Sequence, residues 1–100
     1  MAQYNKLVRD KIPAILDQKG IPYEKRIASK EEYRIELIKK LVEEVGEFSE
    51  EGSADELADV LEVMNALRQL PEYKDVEHVA ALKREEKGGF DDRVILKGES

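Results

Sequence analysis

Apolar residues recur at helical spacing through the middle of the chain. Leu37, Leu41, Val45 and Phe48 fall on one side of a wheel turning about 100° per residue, and Ile38 and Val42 widen that side. A second stripe, Val60, Val63, Met64, Leu67 and Leu70, follows after a break. Ser29-Lys30-Glu31-Glu32 has the form of a capping box and predicts the start of a long helix running to about Glu51. Gly52 punctuates it, Ser53 opens another box ending at Glu56, and a further helix is expected to continue to about Leu70, before Pro71. Two long helices joined by so short a turn should pack antiparallel. Ahead of them, Asp10 is placed to cap a short helix carrying Pro13 in its first turn and Ile12, Ile15 and Leu16 on its apolar side, with Gly20 as its end. A fourth helix is expected over roughly 75–87, closed by Gly88-Gly89. Pro22 to Ala28 and Phe90 to Leu96 read as strands that could pair. The predicted fold is mainly α: one domain over residues 1–100, a helical bundle built on an antiparallel helix pair, with a small β-hairpin or two-stranded sheet as its only strand element. No solenoid repeat or low-complexity linker interrupts it, and 98–100 should fray.

The stripes are not purely apolar. Glu44 lies in angle beside Leu37, on the margin of the inward sector, and Glu47 stands one turn further along. On the next helix Glu56 projects within the apolar range and Asp59 borders it. Burying an unpartnered carboxylate costs several kcal/mol, and like charges at i,i+3 or i,i+4 add about 0.2–0.5 kcal/mol each. Glu47, Glu50 and Glu51 also crowd a helix C-terminus, where the macrodipole disfavours anions. A divalent cation bridging Glu44 and Glu47 with Glu56 and Asp59 would remove the repulsion, and an all-oxygen donor set suits Mg²⁺. The simpler readings are that Glu56 completes its capping box and that Glu44 and Glu47 pair with Lys40 or with a base from another helix.

Charge distribution sharpens this picture. Between Leu41 and Leu67 there are nine acidic residues and no lysine or arginine, whereas the whole chain carries a net charge of −6, so the flanks are mildly basic. That balance disfavours nucleic acid and anionic membrane as partners. With no cysteine and the single histidine His78, thiolate zinc sites, disulfides and cysteine nucleophiles are excluded, as is a multi-histidine metal site. His78 reads as a surface or boundary histidine, and Asn65 as a polar side chain at the surface and not a base-reading group. The absence of a leader-like or bilayer-length apolar run predicts a cytoplasmic protein with no membrane association.

Glu43-Glu44-Val45-Gly46-Glu47 followed by Glu56-Leu57-Ala58-Asp59 resembles the EExxE and ExxD motifs of the MazG-like all-α nucleoside triphosphate pyrophosphohydrolases. The opening 4–13, Tyr4-Asn5-Lys6-Leu7-Val8-Arg9-Asp10-Lys11-Ile12-Pro13, and the closing 83–90, Lys83-Arg84-Glu85-Glu86-Lys87-Gly88-Gly89-Phe90, look like a compact branch related to phosphoribosyl-ATP pyrophosphohydrolases. The resemblance implies a helical bundle assembled as a homo-oligomer, dimer or tetramer, and Mg²⁺-dependent cleavage of a nucleoside triphosphate to monophosphate and pyrophosphate. Carried over residue by residue, it implies Glu44, Glu47, Glu56 and Asp59 as metal ligands.

Such chemistry needs charge neutralisation and a positioned water, and no covalent nucleophile. Glu44 or Glu47 is the candidate for activating the water, and Glu43 faces outward. For phosphates the basic flanks offer Lys6, Arg9, Lys11, Lys83, Arg84, Lys87 and Arg93; Lys83, Arg84 and Lys87, beside the Gly88-Gly89 turn, are favoured, with Arg9 next. The short connection from Phe48 to Asp55 leaves base selection to the terminal segments or a second subunit, with Tyr4, Tyr23, Tyr33, Phe48, Tyr73 and Phe90 as the aromatic candidates. Two other functions compete: a noncatalytic nucleotide- or metal-binding helical interaction module, and phosphoribosyl-ATP hydrolysis.

Overall fold

The computed structural model describes residues 5–98. Tyr4 lies outside them, as do the last two positions of the expected frayed end. Four α-helices follow in order, α1 (Ile12–Gln18), α2 (Lys30–Glu51), α3 (Ala54–Arg68) and α4 (Val76–Lys87), with one 3₁₀ turn at Pro71–Tyr73. The molecule is mainly helical, and its one extensive helix–helix contact among the described residues is between α2 and α3.

Local chemistry sets these boundaries. The Ser29 hydroxyl accepts from the Glu32 N–H at 3.2 Å, and the Ser53 hydroxyl accepts from the Glu56 N–H at 3.2 Å, so both expected caps form. The Glu32 carboxylate takes another partner, receiving both guanidinium ends of Arg26 at 2.6 Å. Gly52 ends α2 in the left-handed region at φ 64°, its N–H donating to the Phe48 carbonyl at 2.7 Å. With only Gly52 and Ser53 between them, α2 and α3 fold back as an antiparallel pair. Asp10 does not cap α1: the N-cap is Lys11, with no side-chain bond, and Pro13 sits in the first turn as expected.

No strand forms among the described residues. Residues 22–28 and 90–96 lie outside regular structure because neither has a ladder partner among the described residues, and an isolated extended segment does not hold its backbone hydrogen bonds. Arg93, at φ 56°, further breaks the second run.

Burial differs in one respect from the wheel. Among the described residues Leu37, Val60 and Val63 are the buried apolar ones, with Leu41, Phe48, Leu67 and Leu70 half-buried beside them. Val45 is 47% exposed and Val42 69%, whereas Glu44 is only 8% exposed. The inward line of α2 is therefore Leu37, Leu41, Glu44 and Phe48, a 4-3-4 spacing that places a carboxylate in the seam itself.

Candidate metal centre

The α2–α3 turn positions the acids. Glu44 lies two turns before the end of α2, and Glu56 and Asp59 occupy the first turns of α3, so the reversal at Gly52-Ser53 brings the two helices' carboxylates to one end of the seam. One oxygen from each of Glu44, Glu56 and Asp59 lies within 4.8 Å of the others. Around Mg²⁺ opposed oxygens stand about 4.2 Å apart and neighbouring ones about 3 Å, so these three could hold one ion once their side chains close in on it. Oε2 of Glu44 and Oε2 of Glu56 are buried with no hydrogen-bond partner. Buried carboxylate oxygens are normally satisfied, and either a proton or a cation would supply the partner that these two lack. The unpartnered Oε2 also argues against capping as the whole role of Glu56: the cap bond runs from its N–H to Ser53, leaving that oxygen free for another ligand.

Electrostatics point the same way. The Glu44 carboxyl is pushed above its ordinary value, first by burial and then by the neighbouring Glu47 charge; Lys40, 3.6 Å away, offsets this only in part, and Asp59 adds to it. Glu56 is also raised, by desolvation and then by Glu47, Asp59, Glu51 and Asp55. Its position at the N-terminus of α3 favours the anion, but this does not outweigh loss of water and four like charges.

Glu47 is close enough to raise both groups but remains exposed and outside the cluster of three. It stands on the solvent side, while Glu44, Glu56 and Asp59 are the residues brought together. Glu43 is half-buried and faces bases, with Lys6 at 3.3 Å and Lys40 at 3.7 Å.

The acids are thus not without basic neighbours, although their own stretch of sequence contains none. Arg9 Nη2 donates to Asp59 Oδ1 at 2.7 Å across 50 residues of chain. Of the phosphate candidates, Arg9 is placed against a carboxylate of the cluster, and Lys6 against Glu43 beside it. Lys83, Arg84 and Lys87 are exposed on α4, and among the described residues no ion pair or hydrogen bond joins them to the acidic cluster. Arg84 pairs instead with Asp91 at 3.3 Å and lies over Gly89, where an added Cβ would meet its Nη1 at 2.9 Å. α4 is tied back to α3 by the Arg68–Glu77 ion pair.

Glu36 is a residue the wheel did not single out. It is half-buried, its Oε2 lies 3.2 Å from Lys39 Nζ without hydrogen-bond alignment, and with Lys39, Lys40, Glu43, Asn5 and Leu7 it borders a shallow cavity of about 220 Å³. The signal was the spacing Glu36, Lys40, Glu43, Glu47, a charged stripe adjoining the seam. Asn65 is half-buried, accepting from Arg68 at 3.1 Å, and His78 is exposed. Among the aromatic candidates, Tyr23 donates to Asp17 at 2.9 Å, the Tyr73 hydroxyl accepts from Arg34 at 3.2 Å, Tyr33 and Phe48 are half-buried, and Phe90 is almost wholly exposed. The chain matches no protein-family model, and comparison with curated proteins and with solved structures gives no match either.

Proposed function

We propose that the protein is a Mg²⁺-dependent nucleoside triphosphate pyrophosphohydrolase that clears unwanted nucleotides. The observation that carries this reading is the convergence of Glu44, Glu56 and Asp59 oxygens within 4.8 Å, two of the residues bearing a buried oxygen without a partner. These three would hold the ion, with Glu47 within reach on the solvent side. When bound, a divalent cation neutralises the phosphate oxygens on which charge accumulates as the anhydride breaks.

The chain's own residues supply the rest. Glu47, exposed beside the cluster, is suited to accept the proton of a water that attacks phosphorus as the α–β anhydride bond breaks and pyrophosphate leaves. Glu44, held in the seam, orients the site more than it exchanges protons with solvent. Arg9 offers the nearest guanidinium for a phosphate. Lys83, Arg84 and Lys87 would serve the same substrate only from another copy of the chain or after α4 moves.

A homo-oligomer belongs to this reading. Leu57, Leu61 and Met64 form an exposed stripe on α3, and Ile35, Ile38, Val42 and Val45 form another on α2, each residue 39% or more exposed. Incubation with a panel of nucleoside triphosphates and Mg²⁺ should release pyrophosphate and not orthophosphate. Glu44→Gln and Asp59→Asn should each lower the rate at least a hundredfold with helicity retained. Nucleotide-stabilised melting without pyrophosphate release would replace this reading with the noncatalytic nucleotide-binding module, which the separation of α4 from the carboxylates favours.

A further inference from the structure

The N-terminal segment crosses the mouth of the acidic seam. Lys6 reaches Glu43 on α2 at 3.3 Å, and three residues later Arg9 reaches Asp59 on α3 at 2.7 Å, while Leu7 between them is half-buried. Lys40 faces Glu44 from the preceding turn of α2. The cluster is therefore partly neutralised from within the chain, and the arginine engages one of the carboxylates that converge with Glu44 and Glu56.

We infer that Arg9 is a resident counter-cation of the metal centre: the guanidinium holds Asp59 while no ion is bound, is driven off when a divalent cation engages that carboxylate, and passes to the phosphate of the incoming substrate. This rests on the metal-centre reading above and adds an order of events to it. An ion gripping Asp59 would lie about 5 Å from a guanidinium on the same carboxylate, where the repulsion of a double and a single positive charge opposes binding by about tenfold even in water. The Arg9–Asp59 pair is exposed on both sides, 55% and 38%, and a pair of that kind is worth about fivefold at most. Once an ion is bound, staying on Asp59 therefore costs the guanidinium more than letting go. Arg9 is a forked donor matched to phosphate oxygens, so the cation displaced in the first step is suited to the anion arriving in the second. Tethered through the backbone bond from the Ile12 N–H to the Arg9 carbonyl at 3.1 Å, the residue stays near the start of α1 while its side chain changes partner.

The test is a reversal of sign that a merely structural role would not produce. Mn²⁺ binding to the whole chain, followed by electron paramagnetic resonance of the free ion, should tighten about two- to fivefold in Arg9→Gln. Binding of inorganic tripolyphosphate in saturating Mg²⁺ should weaken at least tenfold in the same variant. Arg9→Lys, which keeps the charge and loses the fork, should leave Mn²⁺ affinity within about twofold of the parent and recover only part of the tripolyphosphate affinity. In the parent protein, Mg²⁺ alone should shift the Arg9 Nε resonance. Unchanged or weaker Mn²⁺ binding in Arg9→Gln overturns the proposal, as does undiminished tripolyphosphate binding; circular dichroism of the variants separates either result from unfolding. If the parent chain binds no Mn²⁺ at all, the metal centre itself is refuted, and the counter-cation with it.

Discussion

Glu44 concentrates the chemistry of this chain at the scale of one residue. Its carboxylate lies in an apolar seam, is pushed toward the neutral form by burial and by Glu47, and is only partly offset by Lys40. In the ion-free protein such a group is a source of instability. A carboxyl whose folded value is raised contributes stability below the ordinary carboxylate range and loses it as pH climbs through the raised value. Glu44 and Glu56 share that sign, so the metal-free melting temperature should fall as pH rises above that range. Glu32, lowered by Arg26, has the opposite sign in a separate window: its contribution disappears as pH falls through its lowered value. Glu44→Gln should raise the metal-free melting temperature near neutral pH and flatten the slope above the carboxylate range. A divalent ion should reverse that slope in the parent, because ligation requires ionised oxygens. Melting curves with chelator and with Mg²⁺ across this range check all three outcomes; a flat profile in the parent would remove the case for a strained Glu44.

The element that decides the site is the α2–α3 hairpin. Gly52 adopts φ 64°, where a Cβ is strained although the space around it is open, so Gly52→Ala should cost about 1 kcal/mol. Loss of the Ser53 cap in Ser53→Ala should cost about 1 kcal/mol as well. Both changes should also weaken ion binding, because each loosens the reversal that sets Glu56 and Asp59 opposite Glu44. Gly46 is the contrasting case: it lies inside α2 with no atom within 4 Å of an added Cβ, so Gly46→Ala should stabilise the chain by about 0.5–1 kcal/mol. Urea unfolding of the three variants gives the signs directly. The hairpin was readable beforehand because caps and a left-handed glycine are local signals, carried by a few consecutive residues. The strands were misread for a complementary reason: alternation in 22–28 and 90–96 describes what a strand would look like, while a strand exists only when another edge supplies its hydrogen bonds.

At the scale of the whole molecule, the chain is extended, measuring 55 × 32 × 24 Å, with a radius of gyration of 17.9 Å where a compact chain of its size would have about 13 Å. Phe90, Ile95 and Leu96 are each more than 90% exposed, and Val76, Val79 and Leu82 leave α4 with an uncovered apolar side. In the proposed homo-oligomer a second copy would cover such faces, and sedimentation at micromolar concentration should then find a dimer or larger, with Leu61→Lys shifting the population toward monomer. A monomeric parent would count against the homo-oligomer. No helix among the described residues is long and apolar enough to cross a membrane.

By itself the sequence determined the helical class, the α2–α3 reversal and the two acid pairs, since propensity, capping and 3.6-residue periodicity act over neighbouring positions. It also marked Arg9 as a candidate phosphate donor, but without a position. Only the tertiary structure decided that the seam of α2 runs through Glu44 and leaves Val45 outside, that Glu47 stands at the rim, and that Arg9 closes on Asp59 from 50 residues away. A helical wheel fixes angles within one helix. Which angle faces inward depends on the packing partner, and which distant charge answers a carboxylate depends on the path of the chain between them.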